Sequence, residues 1–596
     1  MTTQDLWSLV LVGRAVLIQA STSTIPAYVM QCTVLLEKLL NNIDRVNCNF
    51  LWGSTETSKK THWVGWYKVT KSEVDGGLGI QATKGKNIAS LAKLNWRFHM
   101  EKDAIWSKVL RSKYCSQCRL GARNKDKLPC SRTWKAMKMG MEVFKKGIRW
   151  IPGRNSKLSL WHDNWTSNGP LRSLIQGPFA AEEEHLKVRD VLRTDGWDWS
   201  DISLQIPKEV LMEIRSIPYS MTAPNKDDKL VWNGENKGDF DLKSAYNLAI
   251  GSMDGGDEFT GRWIWKSETL PRIKTFIWQC MHYSIGVGEC LVRRCLSEFD
   301  VCPMFNREFE TILHRLRDCS FSRDTWFKLG INPSSNFYEG NLQYWLETIC
   351  KDGSHKVRHQ PPWKIVFPFA IWCIWKDRNN FVFRDRSTQS NIHHDIVFRA
   401  SEFQHCIRKA KRLDSKIVVR VRWEKPQVGW VRLNTDGSAI ENPGRAGGGG
   451  IIRDVQGRWI AGFSRNIGLS TSFMAELWAL RDGLILCNNL NFSAVEIQID
   501  AKTIVGLLAN HSYSNSFAMP IIDDCRKLIS RTPQVRIGHC YREANSCADF
   551  LTKMGSAQIR EFILFNDLPV DLEELISLDA VGMYHNRLLS ELSFPP

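Results

Sequence analysis

The sequence predicts a multidomain chain, mostly α-helical over its N-terminal two thirds and α/β in its last quarter. Three observations carry this division. The 596 residues exceed what one hydrophobic core can organise and call for three or four domains. Apolar positions recur at helical spacing through Leu35–Leu40 and from Ile88 to Met100. In the last quarter, the strand-like runs Trp430–Ser438 and Ala494–Asp500 are each followed downstream by an apolar helical stretch, Met474–Leu480 and Asn545–Leu551.

From the N-terminus, Leu6–Ile18 is apolar but follows Asp5 and is broken by Arg14. It lacks a basic leader and is too short to span a bilayer. The 17 cysteines are scattered, which fits a reducing compartment and not a disulfide framework. The chain is therefore expected to be intracellular and not secreted, with no membrane contact. Nuclear residence is compatible with this reading. Gly76–Gly79 reads as a tight turn, because no Lys-Ser/Thr follows to make it a phosphate loop. Most of the 25 tryptophans read as core anchors. An apolar helix from about Trp363 to Phe383 leads into a basic stretch containing Arg408, Lys409, Lys411 and Arg412. Beyond Ser556 the chain turns acidic and apolar, with a short packing helix expected around Leu568–Leu575.

A formal net charge of +17 favours a polyanionic partner. Four carboxylates stand where a sheet and its helices can gather them. Asp436 ends one strand, Asp500 ends another, and Glu476 and Asp549 lie near helix starts. Like charges brought together repel, so such a set needs hard cations, and oxygen-only ligands suit Mg²⁺ or Mn²⁺. Two ions about 4 Å apart clamp a phosphodiester, which points to phosphodiester hydrolysis.

The order of these pieces resembles a type-1 ribonuclease H domain over residues 426–556. Thr435–Ser438 is followed by Glu441–Gly444, the glycine-rich run Gly447–Arg453, a strand at Arg458–Ser464, and then the Glu476 helix and the Asp500 strand. Val535–His539 and Tyr541–Asn545 lead into the Asp549 helix. The resemblance implies a mixed five-stranded sheet with flanking helices, two Mg²⁺ (or Mn²⁺) ions held by Asp436, Glu476, Asp500 and Asp549, and cleavage of the RNA strand of RNA–DNA hybrids. It also implies a loop histidine, His539, that assists catalysis, and hybrid contacts from Asn442 and Asn545. Two positions depart from the family pattern. The turn Ser470–Met474 lacks the asparagines that many members use on the hybrid, and Ala501 replaces a frequent serine after Asp500.

Upstream, Gly13-Arg14, Phe50–Gly53, His62-Trp63, Gly76–Gly79, Leu94–Arg97, Ile148–Trp150 and Leu160–Trp165 resemble the region after the polymerase palm of plant non-LTR retroelement reverse transcriptases. This assigns residues 1–175 to that thumb-like region. Residues 229–330 resemble the zinc-binding domain of the same elements, through Gly238–Tyr246, Trp263–Trp265, Pro271–Trp278, Cys302, His314, Cys319 and Trp326. The family's second cysteine is Phe305 here, which leaves Cys302, His314 and Cys319 as a degenerate set. Zn²⁺ is not expected at three ligands, although Cys295 is a candidate for the fourth. Residues 345–425 form a helix and basic linker, and 557–596 a tail. No aromatic residue precedes Asp227-Asp228 or Asp523-Asp524, so polymerase activity is not expected. The alternative to a nuclease is a retroelement-derived protein that binds nucleic acid without catalysis.

Overall fold

The computed structural model describes residues 11–590, apart from 116–129, 179, 194–195, 223–226, 236, 252–258, 305–306, 334, 352–360, 385–390, 413–415 and 510–514; the side chains of 408–412, 416–417, 509 and 589–590 are likewise outside the description. Phe305 therefore lies outside the described residues. The chain divides into two compact units, one of Met1–Glu142 with Tyr246–Asp414 and one of Val143–Ala245 with Ser415–Pro596. Among the described residues no helix is long and apolar enough to cross a membrane.

The first unit is helical. Its longer members include Glu37–Trp52, Pro271–Met281, Trp363–Arg384 and Ile392–Arg412. Trp278, Trp326, Trp345 and Trp363 are almost wholly buried in one core. Two of them also satisfy their indole N–H: Trp278 donates to Gly76 O at 2.8 Å and Trp326 to Leu316 O at 2.9 Å. A large apolar ring with a satisfied polar handle is what a tryptophan anchor requires, so these rings are structural.

The second unit is built on a six-stranded mixed sheet. Its strands are β1 (Val431–Ile440), β2 (Gly444–Arg453), β3 (Trp459–Ser470), β4 (Ala494–Ile499), β5 (Gln534–His539) and β6 (Phe562–Phe565), in the order β5-β4-β1-β2-β3-β6. The β1–β2, β2–β3 and β3–β6 pairs are antiparallel, while β1–β4 and β4–β5 are parallel. Helices α1 (Ser472–Asn489), α2 (Lys502–Ala509), α3 (Met519–Arg531) and α4 (Ser546–Ala557) accompany the sheet. Leu433, Phe463, Leu477, Trp478, Ile497, Ile521 and Cys525 fill the core between them.

The sheet has one strand more than the five expected, because the tail belongs to it. Phe562–Phe565 alternates outward and inward positions and adds to the β3 edge. The helix Glu573–Val581 follows, packing Ile576 with Ile451 and Leu551. His585–Ser590 then pairs with Lys416–Val421, a strand that the sequence placed in the linker.

Residues 1–175 are likewise divided at Glu142. Beyond it, Ile148–Ile151 pairs antiparallel with Lys229–Trp232, and Trp161 and Trp165 enter a small core with Val188 and Ile214. That segment is fastened to α3. Asp524, fully buried, accepts from Ser220 Oγ and Met221 N, both at 2.6 Å. A buried carboxylate saturated by donors in this way is a structural strut.

Candidate active site

Asp436 lies in β1, opposite Gly449 of β2, and its predecessor Thr435 lies opposite Ile499, the last residue of β4. Asp500 follows directly, so strand pairing alone brings the two aspartates together where the β1–β4 pairing ends, in the middle of β1. Two glycines let the helices close on them. A Cβ on Gly437 would stand 2.1 Å from Glu476 N, and one on Gly449 would stand 2.5 Å from Thr552 N. Thr471 starts α1 by accepting from Met474 N at 3.3 Å, which places Glu476 just inside the helix. Thr552 Oγ1 donates to Asp436 O at 2.7 Å and ties α4 to β1.

Ligand atoms of Asp436, Glu476 and Asp500 lie within 4.8 Å of one another. One oxygen of each (Asp436 Oδ2, Glu476 Oε2 and Asp500 Oδ1) is buried without a hydrogen-bond partner. Burial, then the Asp500 and Asp549 carboxylates, push Asp436 up to about 7. Burial, then Asp436 and Asp500, push Glu476 well above the usual carboxylate range. Orphaned buried oxygens that repel one another are costly unless a cation joins them. The all-oxygen donor set fits Mg²⁺ or Mn²⁺.

Asp549 is not in that group. It sits in the first turn of α4, half-exposed, with its carboxylate 2.6 Å from Lys553 Nζ. It reaches Asp436 only as a nearby negative charge.

His539 is the last residue of β5, in strand and not in a loop, and pairs with Ile499 beside Asp500. Its ring meets Tyr541 edge-on at 5.2 Å, and burial holds its pKa below the usual value. Asn442 Oδ1 accepts from Ser472 N at 3.2 Å, at the start of α1.

Asn545 corrects the sequence reading. It is 2% exposed, its Nδ2 donates to Thr435 O at 2.9 Å, and its Oδ1 accepts from Asn434 Nδ2 at 3.1 Å. With both ends of the amide engaged inside the module, it positions β1 and does not face a ligand. Arg408, Lys409, Lys411 and Arg412 fall in the last turns of the helix Ile392–Arg412, and their side chains lie outside the described part.

Two neighbours of the cluster escaped sequence reasoning. Arg542 Nε donates to Asp500 Oδ2 at 3.0 Å. Cys540 lies close enough that burial, then Asp500, Glu476 and Asp436, push its thiol up to about 12. Nothing local in Tyr541–Asn545 signals that Arg542 would turn toward a carboxylate 42 positions away.

In the first unit, Cys302, His314 and Cys319 are all buried and offer ligand atoms within 4.8 Å of one another. His314 Nε2 is buried without a hydrogen-bond partner, while Nδ1 stands 3.1 Å from Glu308 Oε2. The adjacent Cys302 thiol holds Cys319 far below the usual thiol range; burial opposes this, and His314 and the Arg315 guanidinium assist it. A thiolate, a second sulfur and an imidazole oriented by a carboxylate fit three positions of a Zn²⁺ shell. Cys295 is exposed and outside the group.

Comparison with known proteins gives two family matches, "Reverse transcriptase-like" over residues 434–555 and "zinc-binding in reverse transcriptase" over 240–326. An Arabidopsis thaliana protein named "Putative ribonuclease H protein" is 31% identical over 590 residues, covering 96% of this chain and 94% of its own. An uncharacterized mitochondrial protein of the same plant is 31% identical over 147 residues, 24% of this chain and 92% of its own. Among solved structures, RNase H1 from Halobacterium salinarum is 25% identical over 21% of this chain and 96% of its own, at a TM-score of 0.20. An RNase H domain from Mycobacterium tuberculosis is 22% identical over 22% and 94%, at 0.21.

Proposed function

This chain belongs to the ribonuclease H-like family of retroelement-related proteins, and we propose that its C-terminal module hydrolyses the RNA strand of RNA–DNA hybrids. The observation that carries this reading is the trio of buried, unpartnered oxygens on Asp436, Glu476 and Asp500 within 4.8 Å. Asp436, Glu476 and Asp500 would hold divalent cations, with Asp549 at the rim. Such ions would supply Lewis-acid activation of water and neutralise charge at the departing oxygen.

The chain's own groups do the rest. Asp436 and Glu476, with raised proton affinity, must release protons before cations enter. His539, whose proton affinity burial lowers, stands beside Asp500 as a candidate proton acceptor in the reaction. Asn442, whose side chain meets the start of α1, would contact the hybrid backbone and orient it without reading its sequence, and the basic stretch Arg408–Arg412 of the other unit would add a nucleic-acid contact of its own.

The test is digestion of a labelled RNA strand paired to DNA in Mg²⁺, beside single-stranded and duplex RNA and the Asp500→Asn variant. Wild-type product from the hybrid alone, absent in the variant, supports the reading; equal cutting by Asp500→Asn overturns it. A second reading, binding without catalysis, is favoured by Asp549 lying outside the triad on Lys553 and by Arg542 resting on Asp500. Filter binding with a steep salt slope and no Mg²⁺-dependent product would select it.

A further inference from the structure

We infer that Arg149 holds a backbone phosphate of the bound nucleic acid, so that the segment after Val143 supplies part of the substrate surface of the nuclease module. The inference rests on the nucleic-acid reading above.

Arg149 lies in the strand Ile148–Ile151 and faces a cleft of about 470 Å³ within the second unit. The cleft is walled by Lys237 on one side and by Asn442, Thr471, Asn515 and Phe517 of the nuclease module on the other. Phe517 N donates to Lys237 O at 3.2 Å and Ser516 Oγ to Asp239 Oδ1 at 3.3 Å, so the two walls are joined directly. Asn442 and Thr471 stand at the start of α1, the helix whose next turn carries Glu476.

The guanidinium has neutral partners in direct contact. Nη1 donates to Ser167 Oγ at 2.6 Å, the plane lies 4.4 Å over the Phe517 ring, and Nε is buried with no hydrogen-bond partner. Among the described residues no carboxylate oxygen comes within 4.0 Å of it. Glu213 is the nearest acidic influence, but its own oxygens accept from Ser167 N and Asn168 Nδ2. Desolvation lowers the Arg149 pKa to about 10, and the Glu213 carboxylate partly opposes this from beyond contact distance.

A half-buried guanidinium that faces a cleft with no carboxylate in contact and a free Nε can take an arriving anion there. A phosphate diester is the matching anion, because the guanidinium fork fits two phosphate oxygens. Glu235 and Lys237 also line the cleft. The amide and hydroxyl groups around Arg149 are the donors that phosphate and sugar contacts use. Free inorganic phosphate shares this chemistry, and the experiment separates the two sources.

The experiment uses the full chain. Filter binding of a labelled RNA–DNA hybrid is titrated against salt in the Asp500→Asn background, with Arg149 intact, Arg149→Gln and Arg149→Lys. The slope of log affinity on log salt should become shallower by about one unit in Arg149→Gln and stay unchanged in Arg149→Lys. With Asp500 restored, Arg149→Gln should raise KM and leave kcat at saturation unchanged. An unchanged slope in Arg149→Gln overturns the inference, as does a fall in kcat with KM unaltered. Binding of inorganic phosphate that depends on Arg149 but does not compete with hybrid overturns it too. Loss of thermal stability in Arg149→Gln with the slope intact would assign Arg149 a structural role. Failure of the nuclease reading is separate, since it shows as absent cleavage in the wild type.

Discussion

Arg542 Nε lies 3.0 Å from Asp500 Oδ2, and the guanidinium is 83% exposed while the carboxylate is 5% exposed. A surface cation therefore rests on one oxygen of the cluster and leaves the other, Oδ1, unpartnered. It opposes any second positive charge at that site. Replacing Arg542 by Ala should lower the Mg²⁺ concentration needed for half-maximal hybrid cleavage by about threefold, the scale of an exposed pair. A Mg²⁺ titration at constant ionic strength reads this. Weaker hybrid binding with unaltered Mg²⁺ dependence would instead make Arg542 a substrate contact.

The carboxylates should not be equivalent. Asp436→Asn and Asp500→Asn remove members of the 4.8 Å group and should cut activity by at least about 10³-fold. Asp549→Asn removes a residue already paired with Lys553 and should cost much less, with activity partly regained in Mn²⁺. Equal losses in all three, measured at saturating metal, would count against this ranking.

Asp436 titrates near 7 when folded and near 3.9 when unfolded, so the folded state holds its proton more tightly. The associated stability is complete below about pH 4 and disappears as pH rises through about 7. Glu476 shifts in the same direction. Metal-free protein should consequently melt at a lower temperature at pH 8 than at pH 5. Mg²⁺ should raise the transition more at pH 8, where the ligands are ionised. Thermal melts with EDTA and with Mg²⁺ at both pH values check the sign.

Arg453 Nη1 meets Asp579 Oδ2 at 2.7 Å, with the two side chains 1% and 9% exposed. Asp579→Ala leaves a buried guanidinium unpaired and should cost about 3–5 kcal/mol. The double variant Arg453→Met with Asp579→Ala should recover much of that loss, and urea unfolding of the four proteins closes the cycle.

The sequence predicts no Zn²⁺ at three ligands, but the structure gathers Cys302, His314 and Cys319 within 4.8 Å, so the group should bind close to one Zn²⁺ per chain, abolished by His314→Ala. Glu308→Gln, which weakens the carboxylate behind His314 Nδ1, should reduce Zn²⁺ affinity by about 10–100-fold. Metal analysis after dialysis, with chelator competition, measures both. Metal-free wild-type protein would contradict the assignment.

Much of the site could be read from local patterns. Alternation up to Asp500 marks a strand end and the order of the pieces gives the module, but the small residues after Asp436 read as a turn while β1 runs on through them to Ile440. Asn545 misled because a polar residue at a helix start reads equally well as cap, strut or ligand contact. Its burial against Asn434 and Thr435 depends on partners about 110 positions away. The tail misled for the same reason: Phe562–Phe565 is a four-residue apolar run without polar alternation, too short to tell strand from helix until β3 offers an edge.

By itself the sequence determined the helical and α/β halves, the carboxylate set and the cysteine–histidine set, because periodicity, turn chemistry and ligand type are properties of neighbouring residues. Only the tertiary structure decided that three carboxylates close on one point while Asp549 stands aside. It alone set Arg542 on Asp500, and it alone built the segment after Val143 into the nuclease unit. Those outcomes are distances between residues far apart in the chain, set by strand register and by how closely helices approach across Gly437 and Gly449.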